Sequence, residues 1–378
     1  MFEHLKVVEL ASVLAGPSVG QFFAELGAEV IKVENPGTGG DVTRSWRVPE
    51  ETGEGSVSAY FSAVNWGKRS VLLDVKDEAS KALLYQLIAK SDIVIVSYKP
   101  GDAEKLGLDY ERLNQLNPRL IYGYITGYGP NDPRAGYDAA IQAESGFMSI
   151  NGEQEGGPLK MPVALIDVLA AHQLKEGLLL ALIKRGSNGK GSAVGVSLLD
   201  VAVSSLANQG ANWLHAGTVP KRKGNAHPNI APYGDVYETK DGQVMLAIGN
   251  DKQFKLLCKA LSLELFKDDR FCENAGRVKN RVLLQAALAE KMAEQLTEEI
   301  LSRLNQLSVP ASPIRSIDEV LETGPSSWFL NKAGTKGVRS FMALPDGIEA
   351  LNTLNPPPKL GEHTQEILNW LRRESQAL

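Results

Sequence analysis

The first third of the chain alternates short β-branched runs with helix-length amphipathic stretches, and this alternation leaves few folds open. Val7-Val8-Glu9-Leu10 precedes a helical pattern near Ser18 to Leu26, which leads into Val30-Ile31-Lys32-Val33. Val71-Leu72-Leu73, a helical pattern over Glu78 to Ala89, Ile93-Val94-Ile95-Val96 and Leu120-Ile121-Tyr122 continue the series. Strand, helix and strand at this spacing build right-handed βαβ units, because parallel strands need a crossover between them. The expected fold class is α/β, with a Rossmann-like doubly wound sheet in a large domain.

A chain of 378 residues has room for more than one core. The texture changes near Asn225, where Tyr233 to Tyr237 and Val244 to Ile248 flank Lys240-Asp241-Gly242 as a hairpin and its turn. Helical patterns follow at Asp251 to Leu261, Arg281 to Gln295 and Glu298 to Gln306, the reading of a smaller α+β domain. The expected layout is a large domain over 1–200, a linker helix and loop over 201–224, a small domain over 225–325 and a return segment over 326–378. In that last segment Pro356-Pro357-Pro358 runs extended, and Gly361-Glu362-His363-Thr364 opens an amphipathic helix carrying Ile367, Leu368 and Leu371.

Charge and cysteine usage exclude several classes. Lys plus Arg total 40 against 45 Asp plus Glu, a net charge of -5, so no global positive field exists to hold nucleic acid or an anionic membrane. Cys258 and Cys272 have no second pair and form neither a disulfide framework nor a zinc pattern. His172 and His363 lack partners at metal-ligand spacing, so no metal is expected. Met1-Phe2-Glu3-His4-Leu5-Lys6 has an early acid and no basic cluster, which disfavours a signal peptide, and no apolar run is long enough for a bilayer; a cytoplasmic location is expected. The turn after the first strand, Ala11-Ser12-Val13-Leu14-Ala15-Gly16-Pro17, lacks the three glycines of a dinucleotide fingerprint.

Asp167 follows Pro162-Val163-Ala164-Leu165-Ile166 and precedes a helical stretch containing Leu174, Leu178 and Leu182. A carboxylate at a helix start is expected to be held ionised by free amides and the helix dipole. From pattern alone it reads as an N-cap, and a functional role needs a second argument.

That argument is a resemblance carried by many separate motifs. Leu14-Ala15-Gly16-Pro17, Leu26-Gly27-Ala28-Glu29-Val30-Ile31-Lys32-Val33-Glu34 and Gly40-Asp41-Val42-Thr43-Arg44 open the series. Lys68-Arg69-Ser70, Lys99-Pro100-Gly101, Leu116-Asn117-Pro118-Arg119, Gly127-Tyr128-Gly129, Tyr137-Asp138 with Gln142-Ala143, and Leu360-Gly361-Glu362-His363-Thr364 extend it across nearly the whole chain. Together they resemble the class III CoA-transferases of CaiB/BaiF type, the family containing formyl-CoA transferase and α-methylacyl-CoA racemase.

The resemblance implies that Asp167 is a nucleophile that takes the acyl group as a mixed anhydride and then CoA as a thioester, moving CoA from an acyl-CoA donor to a small free carboxylic acid. It implies that coenzyme A is a cosubstrate, with no tightly bound cofactor, and that two ring-like chains interlock as a homodimer. Asp138 is expected to orient or tune Asp167, and Tyr137 to form a wall. Racemases of the family carry histidine at the position of Tyr137, and an unperturbed tyrosine, titrating near ~10, is a poor proton shuttle. Transfer is therefore expected over the alternatives, an α-methylacyl-CoA racemase or epimerase and a non-catalytic acyl-CoA binding protein. For CoA the resemblance implies Ala15 and Gly16, Leu73 to Lys76, and Ser97 and Tyr98 with Lys105. Three positions depart from formyl-CoA transferase: Leu14 replaces a glutamine, and Asn35 and Lys105 each replace an arginine. The basic run Lys221-Arg222-Lys223 through Asn229 is expected to be an exposed charge run or a lid.

Overall fold

The computed structural model describes residues 1–52, 57–346 and 354–376, so residues 347–353 and 377–378 of the expected return segment lie outside the described residues. The chain divides into two compact units. One comprises Met1–Phe147, Lys160–Thr218 and Pro325–Leu378, the other Met148–Leu159 and Val219–Gly324.

Six parallel strands form the sheet of the first unit: β1 (Lys6–Leu10), β2 (Glu29–Glu34), β3 (Lys68–Leu72), β4 (Ile93–Val96), β5 (Ile121–Thr126) and β6 (Ser192–Ser197). Their order is β3-β2-β1-β4-β5-β6. The chain therefore works outward from β1 to β3, then crosses back to start β4 on the other side of β1. This reversal opens a crevice beyond the carboxyl ends of β1 and β4, the place where doubly wound sheets bind ligands.

Strand periodicity sorts the apolar residues onto two buried faces. Val7, Val30, Ile93, Ile95 and Ile121 pack with α1 (Ala15–Glu25) and α4 (Leu165–Asn188), with α3 (Asp138–Glu144) beside them. Val8, Ile31, Val71, Val94 and Val96 pack with α2 (Glu78–Ala89) and with a C-terminal helix (Thr364–Gln376) that contributes Ile367 and Leu371. Asp77 caps α2 by accepting from the Ser80 amide, which fixes the start the sequence suggests. Helix α1 begins at Ala15, earlier than its apolar pattern, because Pro17 is tolerated within a first turn.

In the second unit β7 (Tyr233–Glu238) and β8 (Gln243–Ala247) form the expected hairpin, and Ala311–Pro313 adds a third strand. Helices Asp251–Ala260, Arg281–Met292 and Thr297–Gln306 cover it, burying Phe254, Leu257, Leu288 and Ile300. Lys221 to Asn229 belongs to this unit, where the Gly224 amide donates to the Gly152 carbonyl. No helix among the described residues is long and apolar enough to cross a membrane.

Under α1 the apolar face of the first sheet gives way to charge. Glu9 on β1 accepts from Lys32 Nζ of β2 at 2.8 Å and from Lys68 Nζ of β3 at 2.7 Å, and all three side chains are buried. Gly20 of α1 must be glycine here, since a Cβ would lie 2.0 Å from Glu9 Oε2. Burial pulls both lysines down, but Glu9 and Asp41 overcome it at Lys32 and push that ammonium up to about 12, whereas Lys68 is pulled down to about 8. Removing the shared carboxylate leaves two ammonium groups buried around a cavity. Glu9→Ala is predicted to lower stability by about 3–5 kcal/mol, read by thermal or urea unfolding, while Glu3→Ala, on the exposed N-terminal segment, leaves it unchanged.

Candidate functional site

The crevice at the strand-order reversal holds a cavity of about 180 Å³. Its wall is assembled from strand ends: Ser12 and Val13 after β1, Ser97, Tyr98, Lys99 and Pro100 after β4, and Ile125, Thr126 and Gly127 at β5. Arg134 to Tyr137, Asp167 and Leu198 close it. Ala15 and Gly16 line it as the first two residues of α1, with the turn before them at Ser12 to Leu14; no side chain caps this helix. Gly127 and Gly136 meet back to back, so that a Cβ on Gly136 would lie 2.2 Å from the Gly127 Cα.

Asp167 is the one carboxylate among the described residues lining this cavity. The expected N-cap is corrected: Ala164 occupies that position, and Asp167 is the third residue of α4, 8 % exposed, with no hydrogen bond to its carboxylate among the described residues. The cap comes from elsewhere in sequence. Asp138 Oδ1 accepts from the Ile166 amide at 2.8 Å, and its Oδ2 accepts from Gln142 Nε2 at 2.7 Å. Gln142 in turn accepts from the Met161 amide at 2.8 Å, tying down the segment that leads into Asp167.

The expectation that amides and dipole hold Asp167 ionised is also corrected. Burial first, and the neighbouring Asp138 second, push its carboxyl up to about 7. Tyr60 feels the same charges: burial, then Asp167, Asp138 and Asp41, raise its hydroxyl.

A second cavity, of about 340 Å³, lies beside the first and is bordered by Leu73, Lys76, Asn35 and Leu106. Ser12, Ser97 and Tyr98 border both. The structure thus brings Ala15, Gly16, Ser97, Tyr98, Tyr137 and Asp167 to one cavity and Leu73 and Lys76 to its neighbour. Asp138 stands behind the wall. Tyr137 is 63 % exposed and begins the turn into α3, a position at the rim. Lys105 pairs with Asp102 on the surface, its side chain 75 % exposed, and borders neither cavity. The exposed Lys99 lines the first cavity instead.

Arg134 and Val13 carried no signal that singles them out in the sequence. Arg134 lines the first cavity, stacks on Tyr128 with its guanidinium carbon 3.7 Å from the ring centre, and is paired with Asp132 and Glu144. Val13 holds φ at 72°, a left-handed conformation that a β-branched residue adopts only under constraint. His363 is a structural acceptor: its Nδ1 takes a hydrogen bond from the Ser70 amide at 3.3 Å.

The model of CoA-transferase family III matches residues 2–364. The chain is 40 % identical to the succinate–glutarate CoA-transferase of Agrobacterium fabrum, over 96 % of this chain and 94 % of that protein. It is 35 % identical to the succinyl-CoA:glutarate CoA-transferase of Homo sapiens, over 98 % of this chain and 86 % of that one. The crystal structure of a CAIB/BAIF family protein from Brucella suis superposes with a TM-score of 0.85 at 42 % identity, covering 97 % of this chain and 98 % of that one.

The raised carboxyl has a thermodynamic signature. Folding moves Asp167 from the ordinary value near ~3.9 to about 7, so its ionisation opposes the native state. Stability present below about pH 4 is lost as the pH rises through about 7. Asp167→Asn, which carries no charge, is predicted to match the parent protein near pH 4 and to exceed it by up to about 4 kcal/mol above pH 8. Unfolding measured across pH 4–9 checks this; a difference that stays flat with pH contradicts it.

Proposed function

This chain belongs to CoA-transferase family III, and on that premise we propose that Asp167 is the nucleophile that moves CoA from an acyl-CoA donor to a free carboxylic acid. The observation that carries the reading is its position as the sole carboxylate, among the described residues, on a small cavity at the sheet's reversal point.

An Asp167 oxygen attacks the thioester carbonyl of the donor, the C–S bond breaks, and the products are a mixed anhydride and CoA thiolate. The thiolate attacks the aspartyl acyl carbon and the donor's acid leaves as a carboxylate, which places CoA on Asp167 as a thioester. The incoming carboxylate attacks that thioester, regenerating an anhydride and the thiolate. The thiolate takes the new acyl group, and Asp167 is released ionised. No net proton is consumed, so the site needs no dedicated acid or base. The exposed Tyr137 suits this role of bystander better than that of a proton carrier at an α-carbon.

The environment serves nucleophilicity. A carboxylate raised to about 7 is still half ionised at neutral pH and more basic than an ordinary aspartate. The uncapped amides of Ala15 and Gly16 line the same cavity and suit the oxyanion formed at the carbonyl. The larger neighbouring cavity suits the nucleotide end of CoA, with Lys76 toward its phosphates and the pantetheine arm passing Ser12, Ser97 and Tyr98. A volume of about 180 Å³ fits a short acyl group, and the exposed cation Lys99 on its wall favours short dicarboxylic acids, in keeping with the substrates in the relatives' names.

Leu180, Ile183, Trp213 and Leu214 are exposed apolar side chains of the first unit, and they support a contact with a second copy of the chain. We infer a homodimer.

Asp167→Ala is predicted to fold and to lose at least about 10³-fold in turnover, a loss typical of removing a covalent nucleophile. Mass spectrometry of the parent protein mixed with succinyl-CoA and quenched with hydroxylamine should find a hydroxamate at Asp167. Substantial turnover by the alanine variant overturns the assignment. The kcat/KM of the parent enzyme is predicted to rise as the pH passes through about 7, following ionisation of the nucleophile.

A further inference from the structure

Ala11 to Leu14 join β1 to α1, and two positions of this turn are gripped by one buried ion pair. The Ala11 carbonyl accepts from Lys32 Nζ at 2.7 Å. The Val13 amide donates to Asp41 Oδ1 at 3.3 Å. Lys32 Nζ and Asp41 Oδ2 stand 2.9 Å apart, and both side chains are almost wholly buried. Ser12, between the two gripped positions, borders the Asp167 cavity and its neighbour alike.

Both residues of the pair also border the neighbouring cavity. The Lys32 ammonium donates to Glu9 and to the Ala11 carbonyl, and it meets Asp41 Oδ2 as its ion-pair partner. Asp41 Oδ1 also accepts from the Thr43 amide at 3.1 Å and the Thr43 hydroxyl at 2.8 Å. The pair acts on the turn, and the turn needs it: Val13 sits at φ 72°, where its branched Cβ crowds the backbone and from which an unrestrained valine relaxes.

We propose that the Lys32–Asp41 ion pair is a positioning device for the acyl-CoA site, holding Val13 in its left-handed conformation and thereby fixing Ser12 and the Ala15 and Gly16 amides against the thioester. This rests on the reading that acyl-CoA occupies the two cavities. Lys32 and Asp41 are positioning residues and touch no reacting atom.

The test is a double-mutant cycle on the full chain, with coenzyme A as the probe in titration calorimetry, because its binding needs no chemistry at Asp167. Asp41→Asn keeps the side-chain shape and removes the charge. It is expected to weaken coenzyme A about tenfold, and to raise the KM for succinyl-CoA by a similar factor, with the Val13 backbone. In a Val13→Gly background, where the left-handed conformation carries no steric penalty, the same Asp41→Asn change is expected to cost at most about twofold. A merely structural aspartate would lower the melting temperature equally in both backgrounds and leave no such coupling. Equal effects of Asp41→Asn in the two backgrounds, or none in either, overturn the proposal. Should Asp41→Asn fail to fold, amide exchange in the unaltered protein decides: a protected Val13 amide in the ligand-free state supports the grip, and exchange at the rate of an open loop overturns it. Failure of the unaltered protein to bind coenzyme A overturns the underlying reading and this proposal with it, whereas lack of labelling at Asp167 leaves the cycle's outcome standing.

Discussion

One carboxylate, Glu9, neutralises two ammonium groups that belong to two different strands. An ion isolated from water costs several kcal/mol, and only complete pairing makes such a group tolerable in a core. Glu9 therefore ties β1 to β2 and β3 beneath α1, and further hydrogens of Lys32 and Lys68 go to the backbone carbonyls of Ala11 and Pro17 at either side of the turn that opens α1. The same network continues outward, where Glu34 accepts from Nε and Nη2 of Arg44, the Ser70 hydroxyl and the Asp41 amide. The loop after β1 is thus fixed from below, by charge, before any ligand arrives from above.

Asp167 is the counterexample within the same unit. It too is buried, but no cation among the described residues answers it; its closest electrostatic company is another carboxylate. A protein that pairs so many buried charges leaves this one unpaired at the wall of a cavity, and burial that would be a liability elsewhere makes the group basic. Asp138 achieves two ends at once, because the oxygen that supplies the missing cap of α4 also brings negative charge to the first turn in which Asp167 sits.

The strands and helices of the first sheet were legible wherever β-branched runs met good helix formers with a capping aspartate, as over Val7 to Leu10 and Glu78 to Ala89. The sixth strand was not. Ser192 to Ser197 contains a glycine and little apolar bulk, and Gly195 is there because the ring of Tyr124 on β5 lies against it, so that a Cβ at this position would fall 2.1 Å from the ring Cζ. Lys68 and Lys32 look like surface residues in sequence and become core only through partners 59 and 23 positions away. Asp167 could be singled out by resemblance, yet its chemical state could not: the cap lies 28 residues before the Ile166 amide it serves, and a nearest-neighbour reading predicts an ionised group where the fold supplies a reluctant one. Lys105, singled out by the same resemblance, lies on the surface against Asp102.

The contact between Gly127 and Gly136 sets a boundary on how this site can change. Two backbones touching without side chains form a wall that can be neither thickened nor thinned by substitution, so the dimensions of the cavity are fixed along that side. Any change in the shape of this cavity has to be written into the side chains elsewhere on its wall, such as Ser12, Val13 and Tyr98.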